Sequence, residues 1–191
     1  MKHIIDVSTN EQVLITKESL PLMIHGQDRS GASFFTISLA AQLHAVGNKL
    51  LIFTAFQMAR EEFMNQIAET SDKVFYLESE DDYEKAKEFQ TIIIKSGNVD
   101  LFMKILTQVS DRIVFVKNIE TIDQDISAEL VKHPFVVSGD LEVNPKQNKW
   151  LTYQYAGMIL FSPTINAALP ALVKYQALFI TSGSDQIIAL S

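Results

Sequence analysis

Short apolar runs alternate along this chain with stretches whose apolar positions recur at helical spacing, and the alternation persists from residue 20 to about residue 162. The apolar runs fall at residues 20–25, 49–55, 73–78, 91–96, 112–118, 135–140 and 157–162. They are rich in Ile, Val, Phe and Leu and lack the in-out alternation of a half-exposed strand, which is the pattern of strands covered on both faces. Between them, residues 33–46 are apolar almost all round, as in a helix packed deeply against a sheet, and Gly47-Asn48 supplies a stop. Residues 57–69 place Phe63, Met64 and Ile67 on one face. Asn98 is suited to cap a helix carrying Leu101, Phe102, Ile105, Leu106 and Val109 at helical spacing. Asp123 or Asp125 is suited to start another that turns Ile126, Leu130 and Val131 inward. Strand and helix repeated in this way predict right-handed crossovers and an α/β fold, a mainly parallel sheet sandwiched between helices.

The ends of the chain read differently. A weak hairpin pattern surrounds VLITK (residues 13–17). Asn144-Pro145 predicts a helix start running through Trp150. Residues 171–181 and 186–191 flank Ser182-Gly183-Ser184-Asp185, which predicts an antiparallel β-hairpin at the sheet edge. Residues 1–191 are therefore expected to form one domain, with a core at 20–162 and an extension at 163–191.

Composition narrows the setting. At 47% hydrophobic and 20% charged, the chain has the make-up of a well-buried globular core. No apolar run approaches the ~20 residues needed to span a bilayer, and the first residues lack the apolar stretch of a signal peptide. The absence of cysteine excludes disulfides, thiolate metal sites and cysteine nucleophiles, in keeping with an expected cytoplasmic location. A formal charge of −7 argues against a large nucleic-acid surface. Lys146 and Lys149 beside Trp150 form a small basic group that reads as a solvated helix face. Besides Arg29, only Arg60 and Arg112 are available as arginine fingers.

The strongest local motif is the stretch Gly26, Gln27, Asp28, Arg29, Ser30, Gly31, Ala32, Ser33. It follows a predicted strand and opens a predicted helix, and it matches the phosphate-loop pattern G-x-x-x-x-G-K-[ST] except that Ala32 stands where the lysine belongs. Backbone amides of such a loop form an anion cradle, and Ser33 takes the place of the hydroxyl that binds magnesium. The cation that reaches the β- and γ-phosphates is missing, although Arg29 offers some cationic character within the loop.

Residues 113–122, IVFVKNIETI, resemble the second signature of P-loop ATPases, an apolar strand ending in Asp-Glu. Laid on that pattern, Lys117 takes the position of the magnesium-orienting aspartate and Asn118 that of the glutamate that activates water. FVVSGD (residues 135–140) resembles the next strand of the same fold, which ends in a polar sensor residue matched by Ser138. Over roughly residues 20–162 the chain thus resembles a RecA-like P-loop NTPase core, of the kind found in KaiC-like proteins and DNA-translocase ATPases.

The resemblance implies a RecA-like sandwich and ATP or ADP with magnesium as the ligand class, while the departures fall on the chemistry. Phosphoryl transfer needs a cation on the phosphates, an acid to hold the metal and a group to position water. Here these positions hold Ala32, Lys117 and Asn118. The expectation is a catalytically inactive binding or assembly module, without a catalytic set of its own or a dedicated metal site. RecA-like relatives form rings or filaments, which implies self-association or a partner ATPase. Two alternatives stand beside it: an atypical NTPase whose acid is Glu120 or Asp123, and a sensor that binds nucleotide without hydrolysing it. Lys117 itself has two roles open, an internal ion pair with Asp140 or Asp28, or a contact with an anion such as the phosphates of a nucleotide.

Other residues have structural readings. His3, His25, His44 and His133 show no metal-ligand spacing, and His25 reads as a packed or capping residue. The acidic run at residues 78–82 reads as a helix start, with Ser79 or Asp81 as its cap. Tyr153, Tyr155, Tyr175 and the twelve phenylalanines read as core, an aromatic platform for bases being the alternative that lacks basic neighbours.

Overall fold

Strands without polar alternation need cover on both sides, and the computed structural model provides it. It describes residues 4–6, 11–13, 17–26, 32–54, 58–67, 72–122, 124–140, 157–160, 177–180 and 187–190. In chain order the elements are β1 (Ile4–Asp6), β2 (Glu11–Val13), β3 (Leu22–His25), α1 (Ala32–Ala45), β4 (Leu50–Thr54), α2 (Met58–Gln66), β5 (Val74–Leu77) and α3 (Tyr83–Ala86). They continue with β6 (Thr91–Ile94), α4 (Val99–Leu106), β7 (Ile113–Lys117), α5 (Ser127–Leu130), β8 (Phe135–Gly139), β9 (Gly157–Leu160), β10 (Ala177–Ile180) and β11 (Ile187–Leu190).

Six strands form an all-parallel sheet in the order β3-β8-β7-β4-β6-β5. The α/β architecture with helices on both faces is therefore as the periodicity predicted. Because successive side chains point to opposite faces, each strand feeds two apolar layers. One layer joins Met23, Leu51, Phe53, Ile92, Val114, Val116 and Val137 to Tyr83 and Ala86 of α3, Phe102 and Ile105 of α4, and Leu130 of α5. The other joins Leu22, Ile24, Leu50, Ile52, Phe115 and Val136 to α1, to Phe63 of α2 and to Ile67 just after it. Helix α1 reaches β3, β7 and β8 on one side and α2 on another, which is why its sequence is apolar almost all round.

The local signals explain the element ends. Asn98 Oδ1 accepts a hydrogen bond from Leu101 N at 3.0 Å and caps α4. Ser79 Oγ accepts from Asp81 N at 3.3 Å and opens the short 3-10 turn Glu80–Asp82 that leads into α3. Asp125 Oδ1 accepts from Ser127 N at 3.2 Å at the start of α5. Gly47 ends α1 with φ +91°, a conformation open to glycine and strained for other residues.

On the far side of β3 the strand order continues β9-β10-β11-β1-β2. Strand β9 is parallel to β3 and to β10, and β10 and β11 are antiparallel neighbours. The turn of the expected C-terminal hairpin lies outside the described residues, as does the helix expected at residues 144–150. Strand β1 pairs with β11 on its other side, and β2 pairs antiparallel with β1, so the N-terminal strand pair falls just ahead of VLITK. No helix among the described residues is long and apolar enough to cross a membrane.

Candidate functional site

All six central strands run the same way, so their carboxyl ends share one edge of the sheet. The chain leaves β3 for β4 on one side and β8 for β9 on the other, and the connections diverge at the β3–β8 pair. In open parallel sheets the crevice outside the carboxyl ends at such a divergence is the usual ligand position. The register there is specific: Thr54 lies opposite Lys117, Lys117 opposite Ser138, Ser138 opposite Ile24, and Gly139 opposite His25.

This edge gathers several buried polar residues. His25 is 1% exposed, Thr54 1%, Ser138 2% and Lys117 7%. By the pleat, Thr54, Lys117 and Ser138 point to the α1–α2 side, the same side as Ile24, while His25 and Gly139 point to the other. Ser138 Oγ has no hydrogen-bond partner among the described residues. The sequence placed Lys117 and Ser138 at strand ends, and the fold sets them side by side.

The phosphate-loop positions are divided. Strand β3 ends at His25 and α1 begins at Ala32, so the motif joins a buried parallel strand to a helix. Gly26 is buried, and its N–H donates to Gly139 O at 3.3 Å, tying the start of the loop to the end of β8. Gln27, Asp28, Arg29, Ser30 and Gly31 lie outside the described residues. Ala32 is 5% exposed and belongs to the apolar layer with Leu22, Ile24, Phe115 and Val136. Ser33 is exposed on the first turn of α1.

Burial draws the Lys117 ammonium below the ordinary lysine pKa, and the carboxylates of Glu62 and Glu120 pull in the opposite direction. Neither carboxylate closes an ion pair with it among the described residues. Of the two partners read from the sequence, Asp28 lies outside the described residues, and Asp140 is not among the groups acting on Lys117. Glu62, on α2, was not foreseen. Its Oε2 atom is buried without a hydrogen-bond partner among the described residues. Only the tertiary packing of α2 over the sheet brings it near β7.

Asn118 and Glu120 form a structural clamp. Asn118 adopts φ 61°, ψ 49°, a left-handed conformation that asparagine tolerates, and thereby turns the chain out of β7. Its Nδ2 approaches Glu120 Oε1 at 3.4 Å, and Glu120 Oε2 accepts from Asp140 N at 3.1 Å. The Glu120 carboxylate thus spans from the end of β7 to the end of β8, which leaves it poorly placed to serve as a displaced metal-binding acid. Asp123 lies outside the described residues. Among the described residues no group of three or more His, Asp or Glu is arranged to hold a metal ion.

The two described arginines make structural contacts. Arg112 is 2% exposed at the amino end of β7, on the opposite edge of the sheet. Its guanidinium donates to Leu50 O, Gln90 O, Lys87 O and Phe89 O at 2.8–3.2 Å. Arg60 lies over the Tyr76 ring at 3.9 Å from its centre. No protein-family model matches the chain, and no curated protein matches it.

Proposed function

We propose that this chain is a P-loop-NTPase-like module with a RecA-like sandwich that does not hydrolyse nucleotide and acts by binding or assembly. The observation that carries this reading is Lys117, buried at the carboxyl end of β7 beside Ser138 of β8. The resemblance gives that position to the acid that orients magnesium. An ammonium there repels a divalent cation instead of holding it. Ala32 compounds the loss, because its side chain belongs to the apolar layer where the family's lysine would project toward phosphate. Asn118, in place of the water-activating glutamate, serves the turn out of β7. Folds of this class stand on their apolar layers, so the architecture persists without the chemistry.

The test is phosphate release by the purified protein supplied with ATP and magnesium, together with its mass in solution. The expected outcome is no turnover above background and either self-association or a stable complex with a partner. Sustained release of phosphate that is lost on Lys117→Ala would establish an enzyme and overturn the proposal. A second reading, a sensor that binds without turnover, draws support from one feature: Lys117 lacks an ion pair among the described residues.

A further inference from the structure

Thr54, Lys117 and Ser138 are adjacent by register, buried, and on the face covered by α1 and α2. An ammonium and a carboxylate sharing an apolar layer ordinarily close on each other, because each is costly to bury alone. Lys117 and Glu62 do not close, and Ser138 Oγ beside them has no partner among the described residues. Ser138 Oγ and Glu62 Oε2 are thus buried short of the contact their burial calls for, on either side of a lysine that closes no ion pair among the described residues.

We infer that Lys117 and Ser138 form an anion receptor at the β7–β8 ends, which takes the phosphates of a nucleotide or pyrophosphate directly, without a divalent metal. The inference rests on reading this edge as the phosphate end of a P-loop-like fold. The ammonium supplies a compact point charge, and the serine hydroxyl donates a hydrogen bond to a phosphate oxygen. Lys117 approaches from β7 and so replaces both the missing loop cation and the missing metal. Magnesium then works against binding, since it pairs with the phosphates in solution and is repelled at the site. Glu62 is a competitor for the ammonium, and its charge holds the empty site together at the expense of affinity.

The experiment is thermal unfolding of the full chain with pyrophosphate or ATP, in EDTA and in magnesium. At a concentration about 100 times the dissociation constant, the midpoint is expected to rise by roughly 5–10 °C in EDTA. Magnesium is expected to reduce the shift, Lys117→Met to abolish it, and Glu62→Gln to enlarge it at a fixed sub-saturating concentration. Lys117→Gln, checked by circular dichroism, serves if the methionine variant fails to fold. Three results overturn the inference: no shift in EDTA, a shift that requires magnesium, or a shift that survives loss of Lys117. ATP turnover with an intact EDTA shift would overturn the proposed silence and leave the receptor standing. Absence of both turnover and shift would do the reverse.

Discussion

Gly139 sits at the carboxyl end of β8 with no space for a side chain. A Cβ there would lie 2.0 Å from Glu120 Oε2 and 3.1 Å from both Ile119 N and Ile119 Cγ1. The carboxylate can move, but only by releasing Asp140 N, whereas the Ile119 backbone is fixed by its own turn. Gly139→Ala is therefore expected to cost about 1–3 kcal/mol in urea unfolding. Adding Glu120→Ala should recover part of that loss, and strict additivity of the two changes would refute the clamp. Arg112 makes a contrasting case, a buried charge that is fully engaged. Its four carbonyl contacts fasten the turn at residues 87–90 to the amino ends of the strands. Hydrogen bonds from a charged group are individually worth about 1.5–3 kcal/mol, so Arg112→Met should destabilise by at least about 2 kcal/mol. Lys117 is buried without such a set, and replacing it together with its facing carboxylate, Lys117→Met with Glu62→Leu, is expected to raise ligand-free stability by about 1 kcal/mol or more, whereas Lys117→Met alone leaves Glu62 without a counter-charge.

Among the elements, α4 and α1 show two ways in which a sequence commits to a helix. Helix α4 has one apolar face, with Leu101, Phe102, Ile105 and Leu106 buried, and it depends on its cap. Asn98→Ala should lower stability by about 1 kcal/mol, and Asn98→Asp or Asn98→Ser should restore most of it in the same denaturation series. Helix α1 lacks a polar face of any width because it lies between the sheet and α2, with Phe35, Ile37, Leu39, Ala40 and Leu43 all buried. Ala32 begins that helix inside the apolar layer. Ala32→Lys would restore the motif's letter but place an ammonium among Leu22, Ile24 and Phe115, so the variant should unfold at a lower temperature than the parent. An unchanged or higher midpoint would mean that the lysine reaches an anion or solvent, and would reopen the loop as a cation site.

For the molecule as a whole, two imidazoles among the described residues, the buried His44 and the half-buried His133, bear on its response to acid. His44, against Thr91 Oγ1 at 2.8 Å and edge-on to Phe63, has its pKa lowered below 6.5, chiefly by burial. His133 is lowered in the same direction and for the same leading cause. Because both folded values lie below the unfolded one, the unfolded chain binds more protons as the pH falls through 6.5. The imidazole contribution to stability should therefore be level above about pH 7.5 and decline from about 6.5 downward until the folded imidazoles also protonate. His44→Gln should flatten that decline, which thermal unfolding across pH 5–8 would register; an identical slope in the variant would remove His44 from the account.

How much of this was legible follows from which forces act locally. The strands at residues 50–54, 91–94, 113–117 and 135–139 announce themselves because a strand buried on both faces is apolar along most of its length, its few polar residues standing at the ends. The caps at Asn98 and Ser79 and the stop at Gly47 are equally local, since each satisfies or redirects backbone within a few residues. The order of the strands is not local. That β8 lies between β3 and β7 is decided by how the layers pack, and only that order sets Ser138 against Lys117 and brings the end of β8 to Gly26. The resemblance marked Lys117 and Asn118 as departures and Ser138 as a match, yet it was silent on Glu62, on the Glu120 clamp and on the burial of Ala32. By itself the sequence determined the alternation of strands and helices and the local caps and stops, because both are written in consecutive residues. Tertiary structure alone decided which charges face one another, because electrostatic partners are chosen by packing between elements distant in the chain.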